Sequence, residues 1–452
     1  MRYFIPEWDD RVDPNYDFLN DKHKKDRDTL EDIYAHEIYG KPNYDGVLVS
    51  KIKIEENKTK RKRIQKLGVH KFFRLPANFP VMGDCGAFGY INQENPPYET
   101  EEILNYYDEF GFNYGVAIDH LIVPGVFKKK NYLKIVNGEE YKLTEEEYKK
   151  LKQEYKSGSD NYILKEVEYI DEKEIKRRFE LTLNNAKDFI EKHRKRGCKF
   201  IPIGSAQGLS PQSYQTAVSE LIKMGYKFIA IGGIARSQTK EILEILKEVK
   251  KVLIPGIQIH LFGVARLEYI TTFRELGVTS FDSASFLRRA WLGISHNYFT
   301  ENGNYSAIRL PQSDKSPRTR KIIKSGKATL EEIQKLEKRS LENLRAYARR
   351  ELDIDKTLES ILKYDALLGE NREEYPKYFR KTLEDRPWEK CTCKICKELG
   401  VEVVIFRGNN RNRRRGFHNT YVFYKLFKEV LKNPEFMQDK KELLEQLSWD
   451  IE

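Results

Sequence analysis

The chain has 452 residues, too many for one small core and enough for a barrel-sized domain with additions. Its 81 Lys and Arg outnumber its 70 Asp and Glu, a formal net charge of +11 that favours a polyanionic partner. No apolar run reaches the ~20 residues that span a bilayer, and Met1-Arg-Tyr-Phe-Ile-Pro lacks a signal peptide's apolar core, so a cytoplasmic protein without a membrane is expected.

Six short apolar segments read as buried strands in chain order: 46–49, 114–118, 200–203, 228–231, 257–262 and 278–281. Amphipathic stretches of helical length lie between them, at 101–110, 174–195, 211–224, 237–250 and 264–276. This alternation predicts parallel strands with right-handed crossovers, hence an α/β fold. The residues just after the strands favour a (β/α)8 TIM barrel over a doubly wound sheet. Polar or glycine-rich tips occur at Asp84-Cys-Gly-Ala-Phe88, Asp119-His, Gly204-Ser-Ala-Gln207-Gly, Gly232-Gly233-Ile and Asp282-Ser. A barrel gathers such tips at one rim, whereas the plain role of ending strands and starting helices accounts for one or two of them well and five poorly.

The expected partition is a catalytic barrel over 1–313 with a Lys-rich insertion at about 128–171, a helical arm over 314–388, and a zinc-binding subdomain over 389–452. The arm, a helical insertion, rests on Leu330, Ile333, Leu336, Leu341 and Leu344 near helical spacing. Cys391-Thr-Cys393-Lys-Ile-Cys396, with His418 further on, stands in metal-ligand order. Three thiolates and one imidazole close a tetrahedron around zinc, so a structural Zn2+ is expected, with His418 at the start of a helix over 418–447. The remaining Cys85 and Cys198 make no disulfide framework, as suits a reducing compartment. Basic clusters at Lys58 to Lys66, Lys128 to Lys130, Arg318 to Lys324 and Arg411 to Arg415 read as stretches where cations reach phosphates, against the plain reading of solvated surface. The last would form a basic loop braced by the metal, with Arg413 and Arg414 as nucleic-acid contacts. No internal repeat is present.

From about Tyr44 onward the chain resembles the tRNA-guanine transglycosylases and their relatives that exchange guanine in DNA for a 7-deazaguanine. The resemblance rests on Gly83-Asp84-Cys-Gly-Ala-Phe88, Ala117-Ile-Asp119, Gly204-Ser-Ala-Gln207-Gly208, Ala230-Ile-Gly232-Gly233-Ile234, Leu261-Phe-Gly-Val264, Ser280-Phe-Asp282-Ser and the zinc signature, in family order. Phe4-Ile-Pro-Glu-Trp-Asp-Asp-Arg-Val-Asp-Pro, His36-Glu-Ile-Tyr and Tyr44-Asp-Gly-Val-Leu-Val-Ser look like the DNA-modifying branch, usually called DpdA. That resemblance implies a pentosyltransferase whose partners are DNA and 7-cyano-7-deazaguanine or a related base, with a homodimer or helper proteins compatible. Exchange on tRNA and a non-catalytic nucleic-acid-binding subunit are the alternatives.

Swapping a base without cutting the backbone breaks one glycosidic bond and makes another at the same anomeric carbon, which a covalent glycosyl-enzyme allows, and a carboxylate suits the nucleophile. By resemblance Asp282 takes that role and Asp84 is the acid and base. A lone Asp-x-Gly would otherwise read as a helix cap. Asp119 and Gln207 match the base-reading positions, with Gly232 and Gly233 letting a main chain approach, and Phe88 and Phe262 stand where the family sandwiches the base. Barrel core is the plain reading of Phe262. The family's Asp-Ser-Gly-Gly is here Asp84-Cys85-Gly86-Ala87, the loop after Gly233 reads Ile234-Ala-Arg236-Ser237, and Ser-Ala-Ser-Phe-Leu-Arg288-Arg289 follows Asp282 in place of Leu-Pro-Thr-Arg. Arg288 and Arg289 are expected as phosphate clamps.

Overall fold

The structure is a computed structural model that describes the whole chain except residues 8, 124–127, 137–138, 155–161, 294, 315, 370–372, 438–439 and 441–452. Eleven strands are used below: β1 (Arg2–Pro6), β2 (Gly46–Ser50), β3 (Val81–Asp84), β4 (Tyr114–Val116), β5 (Lys128–Val136), β6 (Glu139–Leu143), β7 (Tyr162–Ile170), β8 (Ile201–Ala206), β9 (Phe228–Ile231), β10 (Gln258–Leu261) and β11 (Val278–Asp282). Eight of them close a parallel barrel in the order β1-β11-β10-β9-β8-β4-β3-β2. The expected (β/α)8 fold is present.

The predicted strands appear within a residue or two at most ends, and β1 and β3 are additional. The helices between them are written into local sequence. Ser210 accepts the Ser213 N–H at 3.2 Å ahead of a proline at the first turn of Pro211–Met224, and Gly225 closes that helix in the left-handed region. Asp171 caps Glu172–Arg196 in the same way.

Close contacts inside the barrel layers are set by glycine. Gly83 on β3 pairs in register with Gly115 on β4, and a Cβ on either would lie 2.4 Å from the Tyr107 ring. Tyr107 belongs to the helix Thr100–Phe110 and is fully buried, so the two glycines form the flat seat on which that helix docks. In β2, a Cβ on Gly46 would lie 2.2 Å from the ring of Phe4, its partner on β1.

By contact density the chain divides into two compact units. One comprises Met1–Val49, His70–Val81 and Gly263–Glu452, and the other Ser50–Val69 and Met82–Phe262. This differs from the expected partition. The helices Leu330–Ala348, Ile354–Leu367 and Tyr375–Asp385 are not an independent arm: Ile333, Leu344, Ile361, Tyr364, Phe379 and Leu383 share one apolar core with Cys393, Cys396, Val404 and Phe417. In the second unit, the Lys-rich insertion is a three-stranded antiparallel sheet, ordered β6-β5-β7, with the helix Glu145–Glu154 between β6 and β7.

The last helix runs Gly408–Lys432, so it begins and ends earlier than the sequence suggested: residues 433–437 are outside it, and 438, 439 and 441–447 lie outside the described residues. Arg411 to Arg415 are therefore part of a helix, not a basic loop. Arg411 is fully buried between Glu402, Asp21 and the Phe18 carbonyl. Buried Arg414 donates to the Asp13 carbonyl and Asn410, and buried Arg415 to the carbonyls of Ala290, Val403 and Ile405. Arg413, half-buried, donates to the Arg11 carbonyl at 2.7 Å. Arg411, Arg413 and Arg414 tie the N-terminal segment to the last helix. Arg414 is buried and both of its terminal nitrogens already donate inside the fold, so it is not presented to a phosphate, which removes it from the expected nucleic-acid contacts.

Candidate active site

In the second unit, Asp84 is the last residue of β3. Ser50, the last residue of β2, donates its hydroxyl to the carboxylate at 3.0 Å from each oxygen, and the Gly86 N–H also donates to Asp84 Oδ1. Gly86 is left-handed at φ +78°, and a Cβ there would lie 2.4 Å from Ile52. The Asp-x-Gly spacing is thus an Asx-type turn and not a helix cap, since Gly86 is the cap residue of the short turn that follows, and the Ser50 hydroxyl is a constraint that such a turn does not need. Cys85 points away from this turn. It is buried with its sulfur 3.7 Å from the Tyr107 hydroxyl and 3.9 Å from the Val116 carbonyl, and burial raises its thiol pKa well above the ordinary range. At neutral pH it is an uncharged packing group.

Asp119, just beyond β4, is 7% exposed. Its Oδ2 accepts from the Ser205 hydroxyl at 2.9 Å and from Gln207 Nε2 at 2.6 Å. Burial pushes this carboxyl pKa up, and the two donors pull against that shift. The Gln207 side chain is held on all sides. A Cβ on Gly232 would lie 2.2 Å from Gln207 Nε2, and one on Gly233, left-handed at φ +78°, would lie 3.0 Å from Gln207 Oε1 and 2.8 Å from the Ile122 carbonyl. Tyr214 donates to the Gly232 carbonyl at 2.8 Å. The Gly-Gly pair therefore makes room for the Gln207 amide, a role the sequence did not reveal. Ser205, fully buried on β8, carried no sequence signal of its own either.

Phe88 lies on the short 3-10 turn Ala87–Tyr90 and is 53% exposed. Phe262 is half-buried, its ring centroid 5.0 Å from that of His260. In the same unit Tyr90 donates to the Asp119 carbonyl at 3.0 Å, linking the Phe88 turn to the Asp119 segment.

In the first unit, Asp282 ends β11 opposite Phe4 of β1 and is 5% exposed. Gly263 N–H donates to Asp282 Oδ1 at 3.0 Å. Tyr3 donates its hydroxyl to the Ser283 carbonyl at 2.8 Å, which fixes the residue after Asp282. Arg288 and Arg289 are half-buried on the helix Ser285–Leu292, and Arg289 lies 4.9 Å from the Phe286 ring centroid and donates to Asn304 Oδ1 at 3.2 Å.

The first unit also holds the metal cluster. The sulfurs of Cys391, Cys393 and Cys396 lie 3.6, 3.4 and 3.3 Å from His418 Nδ1, close to the edge lengths of a tetrahedron with metal bonds of ~2.0–2.3 Å. His418 Nε2 is 2.8 Å from the Phe299 carbonyl, a partner that fixes the tautomer with Nδ1 free to ligate. Tyr298 stacks on His418 at 4.3 Å and its hydroxyl meets Cys396 at 3.1 Å. His418 sits well inside its helix rather than at the start. These four residues can hold a metal ion.

Comparison with known proteins then settles the family. The chain is 40% identical over 436 residues to a DNA-guanine transglycosylase of Salmonella montevideo, covering 94% of this chain and 96% of that protein. It belongs to the tRNA-guanine transglycosylase superfamily. As a member it is a guanine transglycosylase of the DpdA-like branch. The family described as Queuine tRNA-ribosyltransferase matches residues 128–339, a span that includes Gln207, Gly232, Gly233, Phe262 and Asp282 but not Asp84, Asp119 or the metal cluster. A tRNA-guanine(15) transglycosylase of Methanocaldococcus jannaschii is 28% identical over 139 residues, 30% of this chain and 21% of that protein. Among the described residues no helix is long and apolar enough to cross a membrane.

Proposed function

We propose that this transglycosylase exchanges guanine in DNA for 7-cyano-7-deazaguanine through a covalent glycosyl-aspartate. The choice of DNA rests on one observation, the near full-length likeness to a protein named DNA-guanine transglycosylase. Asp282 and Asp84 are each the last residue of a barrel strand, the position at which parallel barrels carry their chemistry. This supports their acting on one flipped nucleotide, since a stacked base keeps its anomeric carbon out of reach.

The Asp282 carboxylate attacks the anomeric carbon, the carbon–nitrogen bond to guanine breaks with its electron pair going to the base, and protonated Asp84 gives that base a proton. The incoming 7-deazaguanine then loses its ring N–H proton to Asp84, its nitrogen attacks the same carbon, and the bond to Asp282 is released. Ser50 holds Asp84 through both transfers. Asp119 accepts from the base's ring and exocyclic N–H groups, and Gln207 gives its second amide hydrogen to the base carbonyl oxygen. Phe88 and Phe262 would flank the planar ring.

The donor set of the metal cluster fits zinc, with Cys391, Cys393, Cys396 and His418 filling all four positions, so the ion would build the fold rather than take part in exchange. Exchange on tRNA is the second reading, favoured by the family description and the archaeal relative. Guanine release from labelled DNA and labelled tRNA, measured in parallel with the Asp282→Ala protein, separates the cases. Asp282-dependent release from DNA is expected. Release from tRNA alone gives the second reading, and no release from either would mean a non-catalytic binding subunit.

A further inference from the structure

The basic clusters of this chain are spent differently. Arg411, Arg414 and Arg415 are consumed inside the fold, whereas the helix Lys58–Leu67 keeps cations on its surface. That helix carries Lys58, Lys60, Arg61, Lys62, Arg63 and Lys66 and no acidic residue. Lys60 and Ile64 are its buried positions and fix which side faces inward. At ~100° per residue, Lys58, Lys62 and Lys66 then form one stripe on the opposite side, i, i+4 and i+8, over ~12 Å of axis. All three are exposed.

Nearby carboxylates do not neutralise the stripe. Glu55 is taken by Lys51 and Arg61, and Glu56 by Lys53. Among the described residues, none of Lys58, Lys62 and Lys66 has an ion-pair or hydrogen-bond partner from a side chain. The arrangement is unfavourable for an isolated helix. Like charges at i, i+4 cost about 0.2–0.5 kcal/mol per pair, and lysines in a first turn without an acid oppose the helix dipole. Solubility alone would be served equally by mixed charge. A polyanion removes both penalties.

The helix is also placed for a substrate role by the chain itself. It lies on the connection leaving β2, whose last residue, Ser50, holds Asp84. We infer that Lys58, Lys62 and Lys66 bind the sugar-phosphate backbone of the polynucleotide beside the exchanged nucleotide. This rests on the exchange reaction proposed above. Three flexible ammonium groups without base-directed donors would give sequence-independent attraction, so this surface sets affinity and salt dependence and leaves base choice to the pocket.

The test is a salt series on the full-length protein. Binding of a labelled DNA duplex is measured for wild type, for K58Q/K62Q/K66Q, and for K338Q/K356Q/K363Q, which removes the same charge from exposed lysines paired with acids. Each phosphate contact contributes ~0.9 to the slope of log affinity against log salt, so the stripe variant should have a slope shallower by ~2–3. The control should keep the wild-type slope, and K58R/K62R/K66R should restore it. KM for the free base and kcat at saturating DNA should not move. An unchanged slope in the stripe variant, or an equal fall in the control, overturns the inference. Guanine release is followed in the same wild-type samples: if no polynucleotide releases guanine, the reaction proposed above fails, whatever the slopes are.

Discussion

Replacing Ser205 by alanine removes one hydroxyl from a fully buried position and leaves side-chain volume nearly unchanged, so the effect is electrostatic. The lost contact is the 2.9 Å donation to Asp119 Oδ2. A hydrogen bond to a charged group contributes about 1.5–3 kcal/mol, which corresponds to ~10–150-fold in binding of a base that needs Asp119 ionised. The sign follows from protonation. Burial already raises the Asp119 pKa, and only Ser205 and Gln207 oppose it through their side chains; with Ser205 gone, the pKa rises further. In the proposed reaction an ionised Asp119 accepts from two base N–H groups, so on that proposal binding is lost as pH falls through its pKa, and the variant should lose it at higher pH than wild type. For folding the linkage runs the other way: a carboxyl whose pKa is raised by burial weakens the fold as pH rises through that value, so Ser205→Ala should be least stable on the alkaline side. The assay is the pH profile of kcat/KM for the free base at saturating polynucleotide. The acid limb should move to higher pH, KM should rise with kcat little changed, and Ser205→Thr should recover most of the loss. An acid limb and KM equal to wild type would refute Ser205 as a positioning residue.

Gly232→Ala should displace Gln207, since the new methyl would lie 2.2 Å from its amide nitrogen, and raise the dissociation constant for the base by ~10-fold or more in calorimetry while the circular dichroism stays native. Arg411→Met should destabilise the chain in urea unfolding, by less than the cost of about 3–5 kcal/mol for an unpaired buried charge, because Asp21 and Glu402 lose a fully buried partner but keep Arg407 and Arg345. Chelation should release one zinc per chain by mass spectrometry and lower the melting temperature, since Cys393 and Cys396 lie in the same apolar core as the helices around them. A metal-free protein with unaltered melting would remove the structural role.

The fold was legible where pattern is local. The apolar runs that became β8, β9, β10 and β11 are bounded by glycine or helix caps, and Ser210-Pro211 announces the next helix. β1 and β3 were hidden because neither is an unbroken apolar run: β1 begins with Arg2 and ends with Pro6, and β3 ends in the very Asp84 turn that reads as a tip. The last helix begins earlier than its sequence suggests because its first turns carry Arg411, Arg414 and Arg415, polar in sequence and buried in fact. Their partners, Asp21 and the Phe18 carbonyl among them, come from the far end of the chain, and no sequence window contains both. The same reason hides Ser50 and Ser205. Each is an ordinary hydroxyl until the barrel puts it against a carboxylate. The Lys-rich insertion lacked a strand alternation of apolar residues because strands β5 to β7 are dominated by Lys, Glu and Tyr.

The central claim is a sugar held covalently on Asp282 while the base is exchanged. Wild-type enzyme incubated with DNA and no incoming base, then denatured and digested for peptide mass spectrometry, should carry the nucleotide adduct on the peptide containing Asp282, and Asp282→Asn should carry none. An adduct located on Asp84, or guanine released by the Asp282→Asn protein at the wild-type rate, would contradict it.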